Sequence, residues 1–79
     1  MNFDCYAVID TDYENQHTGF DLYEDLDDAQ DAFDQIIDDI QDAYDASKEQ
    51  TLPNQHKIVT FVSNEKPARV VELVPSYIN

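Results

Sequence analysis

DLDDAQDAFDQIIDDIQDAYDAS, residues Asp25 to Ser47, carries two interleaved patterns. Leu26, Ala29, Phe33, Ile36, Ile37, Ile40 and Tyr44 recur at three- and four-residue steps, the apolar stripe of a helix. Asp27, Asp28, Asp31, Asp34, Asp38, Asp39, Asp42 and Asp45 fall on the other side, within an arc of about 140° at helical spacing. Ala32 and Ala43 border the stripe on one flank, Gln30 and Gln41 on the other. No Lys or Arg interrupts the acidic arc, so no intrahelical ion pair relieves the repulsion.

That arrangement costs stability. Aspartate prefers caps and turns to helix interiors, and like charges four residues apart repel by a few tenths of a kcal/mol (~0.2–0.5 per pair). Glutamate would give the same charge on a better helix former. Asp42 and Asp45 also fall near the negative end of the helix dipole. From Asp27 to Asp45 a helix rises ~27 Å, one carboxylate every ~3.5–4 Å. A DNA strand carries a phosphate about every 3.4 Å of rise.

Outward from this stretch, the chain predicts one small α+β domain over residues 1–79, arranged ββαββ. A four-stranded antiparallel sheet is expected, with the amphipathic acidic helix packed on one face. Asn2–Thr11 reads as the first strand, with Phe3, Cys5, Ala7 and Ile9 toward the helix and Asp4, Tyr6, Val8 and Asp10 away. Asp12–Gly19 reads as a hairpin loop in which Gly19 can take a positive φ. Phe20–Glu24 is a short second strand with Phe20 and Leu22 inward. Asp25 is the N-cap candidate of a helix that frays at Ser47–Lys48. Glu49–Gln55 is a connector broken by Pro53. His56–Ser63 forms a third strand with Val59 and Phe61 in the core. Asn64–Ala68 turns into a fourth, Arg69–Val74, with Val71 and Leu73 inward; Pro75 stops it and the tail follows. A lone helix leaves the second sheet face open, exposing Tyr6, Val8, Tyr23, Ile58, Val62, Val70 and Val74. Such a face is expected to receive a second copy of the chain or a partner.

The charge is polarised. Residues 1–47 hold fifteen Asp and Glu and no Lys or Arg, whereas residues 48–79 set Lys48, Lys57, Lys66 and Arg69 against Glu49, Glu65 and Glu72. A net charge of −14 opposes direct binding to nucleic acid or to an anionic membrane, and favours a basic partner or bound cations. A halophilic coat would spread its acidity over the whole surface. With an apolar fraction of 42%, the chain is not a disordered acidic tail. Cys5 stands alone, so no intrachain disulfide is expected. No secretory leader and no membrane span are read, and a cytoplasmic location is expected, the host's if the gene is phage-borne.

Chemistry is weakly signalled. Asp10, Asp12, Glu14 and Asp21 have the spacing of a calcium loop. Asn15 stands where the loop needs glycine, however, and Asp21 where it needs a bidentate glutamate. No metal site is therefore expected. Catalytic residues and cofactors are likewise not expected: His17 and His56 lack partners at a recognisable spacing, and Cys5 reads as a small buried hydrophobe. Tyr13, Tyr23 and Tyr44 lie in the acidic half, where Tyr44 reads as the last core residue of the helix.

In size, charge and the aligned carboxylates of Asp27 to Asp45, the chain resembles the small acidic proteins, often phage-borne, that imitate DNA. These are anti-CRISPR proteins, anti-restriction proteins and uracil-DNA glycosylase inhibitors. The resemblance is one of composition and layout over the helix and the Asp10–Asp21 loop. It implies an inhibitory binding protein that occupies the basic channel of a nucleic-acid enzyme, with a CRISPR effector the favoured target. Asp27, Asp31, Asp34, Asp38, Asp42 and Asp45 would meet its Lys and Arg; Asp28, Asp39, Asp10, Asp12 and Glu14 would extend the footprint. The competing readings are an immunity protein or antitoxin against a basic nuclease, and a non-inhibitory acidic domain, either halophilic or a weak cation binder.

Overall fold

The apolar stripe and the β-branched runs assemble an α+β layer, seen in a computed structural model that describes residues 5–76. The elements are β1 (Cys5–Asp12), β2 (His17–Tyr23), α1 (Leu26–Ile40), β3 (Ala46–Thr51), β4 (Lys57–Ser63) and β5 (Lys66–Ser76). Short 3₁₀ turns lie at Gln41–Ala43 and Pro53–Gln55. The sheet has five strands, not four, in the order β2-β1-β5-β4-β3, and every pairing is antiparallel. The helix therefore connects the two edge strands. Its 15 residues rise ~22 Å, about the width of five strands at ~4.8 Å.

The extra strand comes from where the helix stops. The acidic pattern continues to Asp45, but α1 ends at Ile40. The last turn holds no basic residue, so nothing offsets the carboxylates gathered at the negative end of the dipole. One 3₁₀ turn later, Tyr44 is extended, with φ −123° and ψ 155°. Its ring packs on Phe61 at 5.3 Å between centroids. The Asp45 amide then donates to the Val62 carbonyl at 3.1 Å, which leads into the β3–β4 ladder. Ala46–Thr51, expected as helix end and connector, pairs from Ala46↔Val62 to Thr51↔Lys57. All six residues of β3 are exposed. It is a polar edge strand held by its backbone, with Lys48 and Glu49 discouraging further pairing.

The core lies between α1 and one sheet face. Val8, Ala29, Phe33, Val59, Phe61, Val71 and Leu73 form it, and Tyr6, Tyr23, Leu26, Ala32, Ile36, Ile37, Ile40 and Tyr44 close its margins. The expected inward residues of the last two strands, Val59, Phe61, Val71 and Leu73, are all there. In β1 and β2 the faces are reversed. Val8 pairs with Leu73, and Tyr6 with Tyr23, on the helix side. Cys5, Ala7, Ile9, Phe20 and Leu22 point the other way. They share one face as expected, since Ile9 pairs with Phe20 and Ala7 with Leu22, but it is the face away from the helix. The misleading cue is Asp10. It lies on the helix side, where Arg69 donates from Nε to its Oδ1 at 2.7 Å and from a terminal nitrogen to its Oδ2. Phe3 lies outside the described residues, as do the first residues of the expected strand and the tail after Ser76.

Local conformations also depart from expectation. The β1–β2 turn is tighter than Asp12–Gly19: β2 begins at His17, and Gln16, not Gly19, takes the positive φ, at 55°. At the β4–β5 hairpin Asn64 and Glu65 both have positive φ, 54° and 65°, which fits a two-residue type I′ turn. Asp25 has N-cap backbone angles, but its carboxylate makes no capping bond. β5 begins at Lys66, before the expected Arg69, and runs through Pro67 and Pro75. At Pro67 only β4 flanks it and at Pro75 only β1, so each proline faces an unpaired side.

Asp12 holds the β1–β2 turn. Its Oδ1 accepts from the Glu14 and Asn15 amides at 3.1 and 3.2 Å, and its Oδ2 from Asn15 Nδ2 at 2.8 Å. The Asn15 side chain, then its amide, hold the carboxyl below its ordinary range. A depressed folded value contributes stability above the unfolded value, and the contribution fades as pH falls through the folded one. Asn15→Ala is therefore expected to raise the titration midpoint of Asp12, followed by carboxyl-carbon NMR. An unmoved midpoint would remove the Asn15 side chain as the cause.

Candidate functional site

The sheet presents α1 with its apolar stripe down, so the remaining arc faces outward. Ala29 and Phe33 are buried, while Asp27, Asp28, Asp31, Asp34, Asp38 and Asp39 are all exposed. These six carboxylates keep the ~140° arc and span ~18 Å along the axis, about one per 3.6 Å. Among the described residues, no Lys or Arg lies within ion-pair distance of any of them; Arg69 pairs with Asp10, and His56 Nε2 lies 3.3 Å from Glu72. Glutamines contribute instead. Gln30 Nε2 donates to Asp34 at 3.0 Å, and Gln35 Nε2 to Asp39 at 3.1 Å. Lys57 reaches only the Gln30 amide oxygen, at 2.6 Å. The chain's own cations thus leave the face negative.

The other candidate carboxylates are placed differently. Asp42 is exposed in the 3₁₀ turn, off the end of α1. Asp45 lies beyond it, and its Oδ2 accepts from the Asn64 amide at 3.2 Å, pinning the β4–β5 turn. Asp10 is half-buried against Arg69, whose guanidinium is held charged first by that carboxylate and then, against the effect of burial, by Tyr44. Asp12 is occupied by its own turn. Glu14 is exposed in that turn. The structure therefore brings six of the eleven candidates together on α1.

One carboxylate beside the face was not read from the sequence. Glu49, in β3, borders a groove of about 490 Å³ between α1 and the β3–β4 edge, with Asp34 and Asp38 on its other bank. Gln30, Phe33, Ile37, Lys57 and Val59 also line it. The only sequence signal was the Lys48–Glu49 pair on a segment without apolar alternation. The acidity also continues past the helix start through Asp21, Glu24 and Asp25, all exposed.

Such a surface holds negative charge at short, regular intervals on a rigid rod. It can attract and orient a basic protein over a Debye length, ~8 Å at physiological salt. Among the described residues no helix is long and apolar enough to cross a membrane. Compared with known proteins, the chain matches no protein-family model, no curated protein and no solved structure.

Proposed function

We propose that this protein is an inhibitory binding protein, of the anti-CRISPR kind. Its acidic helix face imitates nucleic-acid phosphates and blocks the basic nucleic-acid channel of a target. The supporting observation is the row of six exposed aspartates on α1 with no cation of the chain against them. A face meant only for solubility gains nothing from excluding Lys, and mixed signs would stabilise the helix. The row keeps roughly the phosphate spacing of one nucleic-acid strand. Asp27, Asp28, Asp31, Asp34, Asp38 and Asp39 are the contact residues in this reading, with Asp42, Glu14 and Glu49 at the margins. Asp10, Asp12 and Asp45 serve the fold. A CRISPR effector is the favoured target because its guide–target duplex runs in a positively charged channel. Inhibition would then take place in the cytoplasm of the host cell.

Capture from lysate at low salt tests this. Immobilised protein is expected to retain a basic nucleic-acid-binding protein and to release it as salt rises toward ~0.5 M, where the Debye length falls to ~4 Å. Retention of no basic protein at low salt, or a complex indifferent to salt, would rule the reading out.

A further inference from the structure

The face of the sheet opposite α1 is built unlike the rest of the surface. The large apolar side chains left exposed among the described residues are Tyr13, Phe20 and Leu22, at 55%, 59% and 57%. All three belong to this side. Phe20 and Leu22 stand opposite Ile9 and Ala7 on the helix-free face of β2. Tyr13 lines a shallow depression with Thr60, Pro67 and Val70. By strand alternation the outward positions of all five strands include no aspartate; their charges are Lys48 and Glu72, and Glu72 is bonded to His56.

We propose that a second copy of this chain docks on this face, sheet against sheet, about a two-fold axis. Charge argues for that occupant. A chain of net charge −14 can approach its own copy only where the surface is close to neutral, and this face is where the aspartates are missing. A basic partner finds no charge cue here, whereas a second copy brings the same apolar, near-neutral surface. The size is of the right order. Five strands at ~4.8 Å, each running ~20–35 Å, span at most on the order of 500–800 Å², against the ~800 Å² per partner of a standard interface; Cys5 and Ala7 within that span are already buried, so Phe20, Leu22 and Tyr13 carry the contact. Facing sheets lie ~10 Å apart, so the two acidic helix faces would point outward, more than ~30 Å from each other and several Debye lengths apart. Each dimer would then present two independent acidic surfaces.

Sedimentation equilibrium of the full chain tests this at low and at roughly 0.5 M salt. A dimer is expected, and it should tighten as salt screens the long-range repulsion. That sign is opposite to the one expected for capture of a basic partner. Phe20→Ser with Leu22→Ser should weaken the dimer at least ~10-fold. Because both side chains are already exposed, the circular dichroism spectrum should be unchanged. Thr60→Lys should act in the same direction, and Asp31→Lys with Asp38→Lys should leave the dimer intact. A chain that stays monomeric at ~200 µM in high salt overturns the proposal. So does a dimer indifferent to both open-face variants. Loss of target capture in the Phe20/Leu22 variant of a monomeric chain would assign the face to the target instead.

Discussion

Replacing Phe61 with alanine is expected to leave the domain at or beyond the edge of unfolding. Phe61 is 1% exposed and projects from β4 into the core beneath the helix, with the Tyr44 ring tilted against it. Removing a buried phenyl ring costs about 3–5 kcal/mol, because the surroundings fill the cavity only in part. A domain of this length has about 4–12 kcal/mol in total. The melting midpoint should drop by roughly 15–30 °C, read by circular dichroism. Val62→Ala, one residue on and half-buried on the open face, should cost far less. Equal losses at the two positions would mean that the core is not where the helix meets the sheet.

The second large effect concerns binding and carries its own control. Asp31→Lys with Asp38→Lys is expected to weaken capture of the basic partner by ~100-fold or more, since two contact charges become repulsive. The same change should stabilise the fold. A lysine in place of Asp31 would lie three or four residues from Asp27, Asp28 and Asp34. One in place of Asp38 would lie four from Asp34, within α1. Each new pair is worth ~0.2–0.5 kcal/mol. Lost binding with a raised melting midpoint cannot be ascribed to misfolding. Capture at wild-type strength would mean that the partner ignores α1.

The contrast between the regions of these two changes shows what the sequence could reveal. The helix stripe and the β4 and β5 cores were legible because each carries a strong period: 3.6 at Leu26–Ile40, and 2 at Val59–Phe61 and Val71–Leu73. β1 offers two alternating sets, Cys5-Ala7-Ile9 and Tyr6-Val8, and both are apolar. Asp10 continues the second set, and a lone carboxylate in a strand ordinarily marks the solvent side. Its neutralising partner, Arg69, is 59 residues away. β3 was illegible for the opposite reason. ASKEQT has no buried face at all, and it is a strand because β4 needs a neighbour for its backbone. The helix end is masked in the sequence because the acidic repeat outlasts the helix; Tyr44 leaves it to pack on Phe61. The acidic face itself was readable for six of its eight aspartates. Asp42 and Asp45 followed the chain as it turned toward β3.

If the aspartates of α1 stand in for phosphates, this protein and nucleic acid compete for one place on the target. The direct measurement is binding of a labelled nucleic acid to the captured partner as this protein is titrated in. Full displacement is expected, with an apparent affinity for nucleic acid that falls in proportion to added protein, and none from Asp31→Lys/Asp38→Lys. A stable ternary complex of partner, nucleic acid and this protein would contradict the claim.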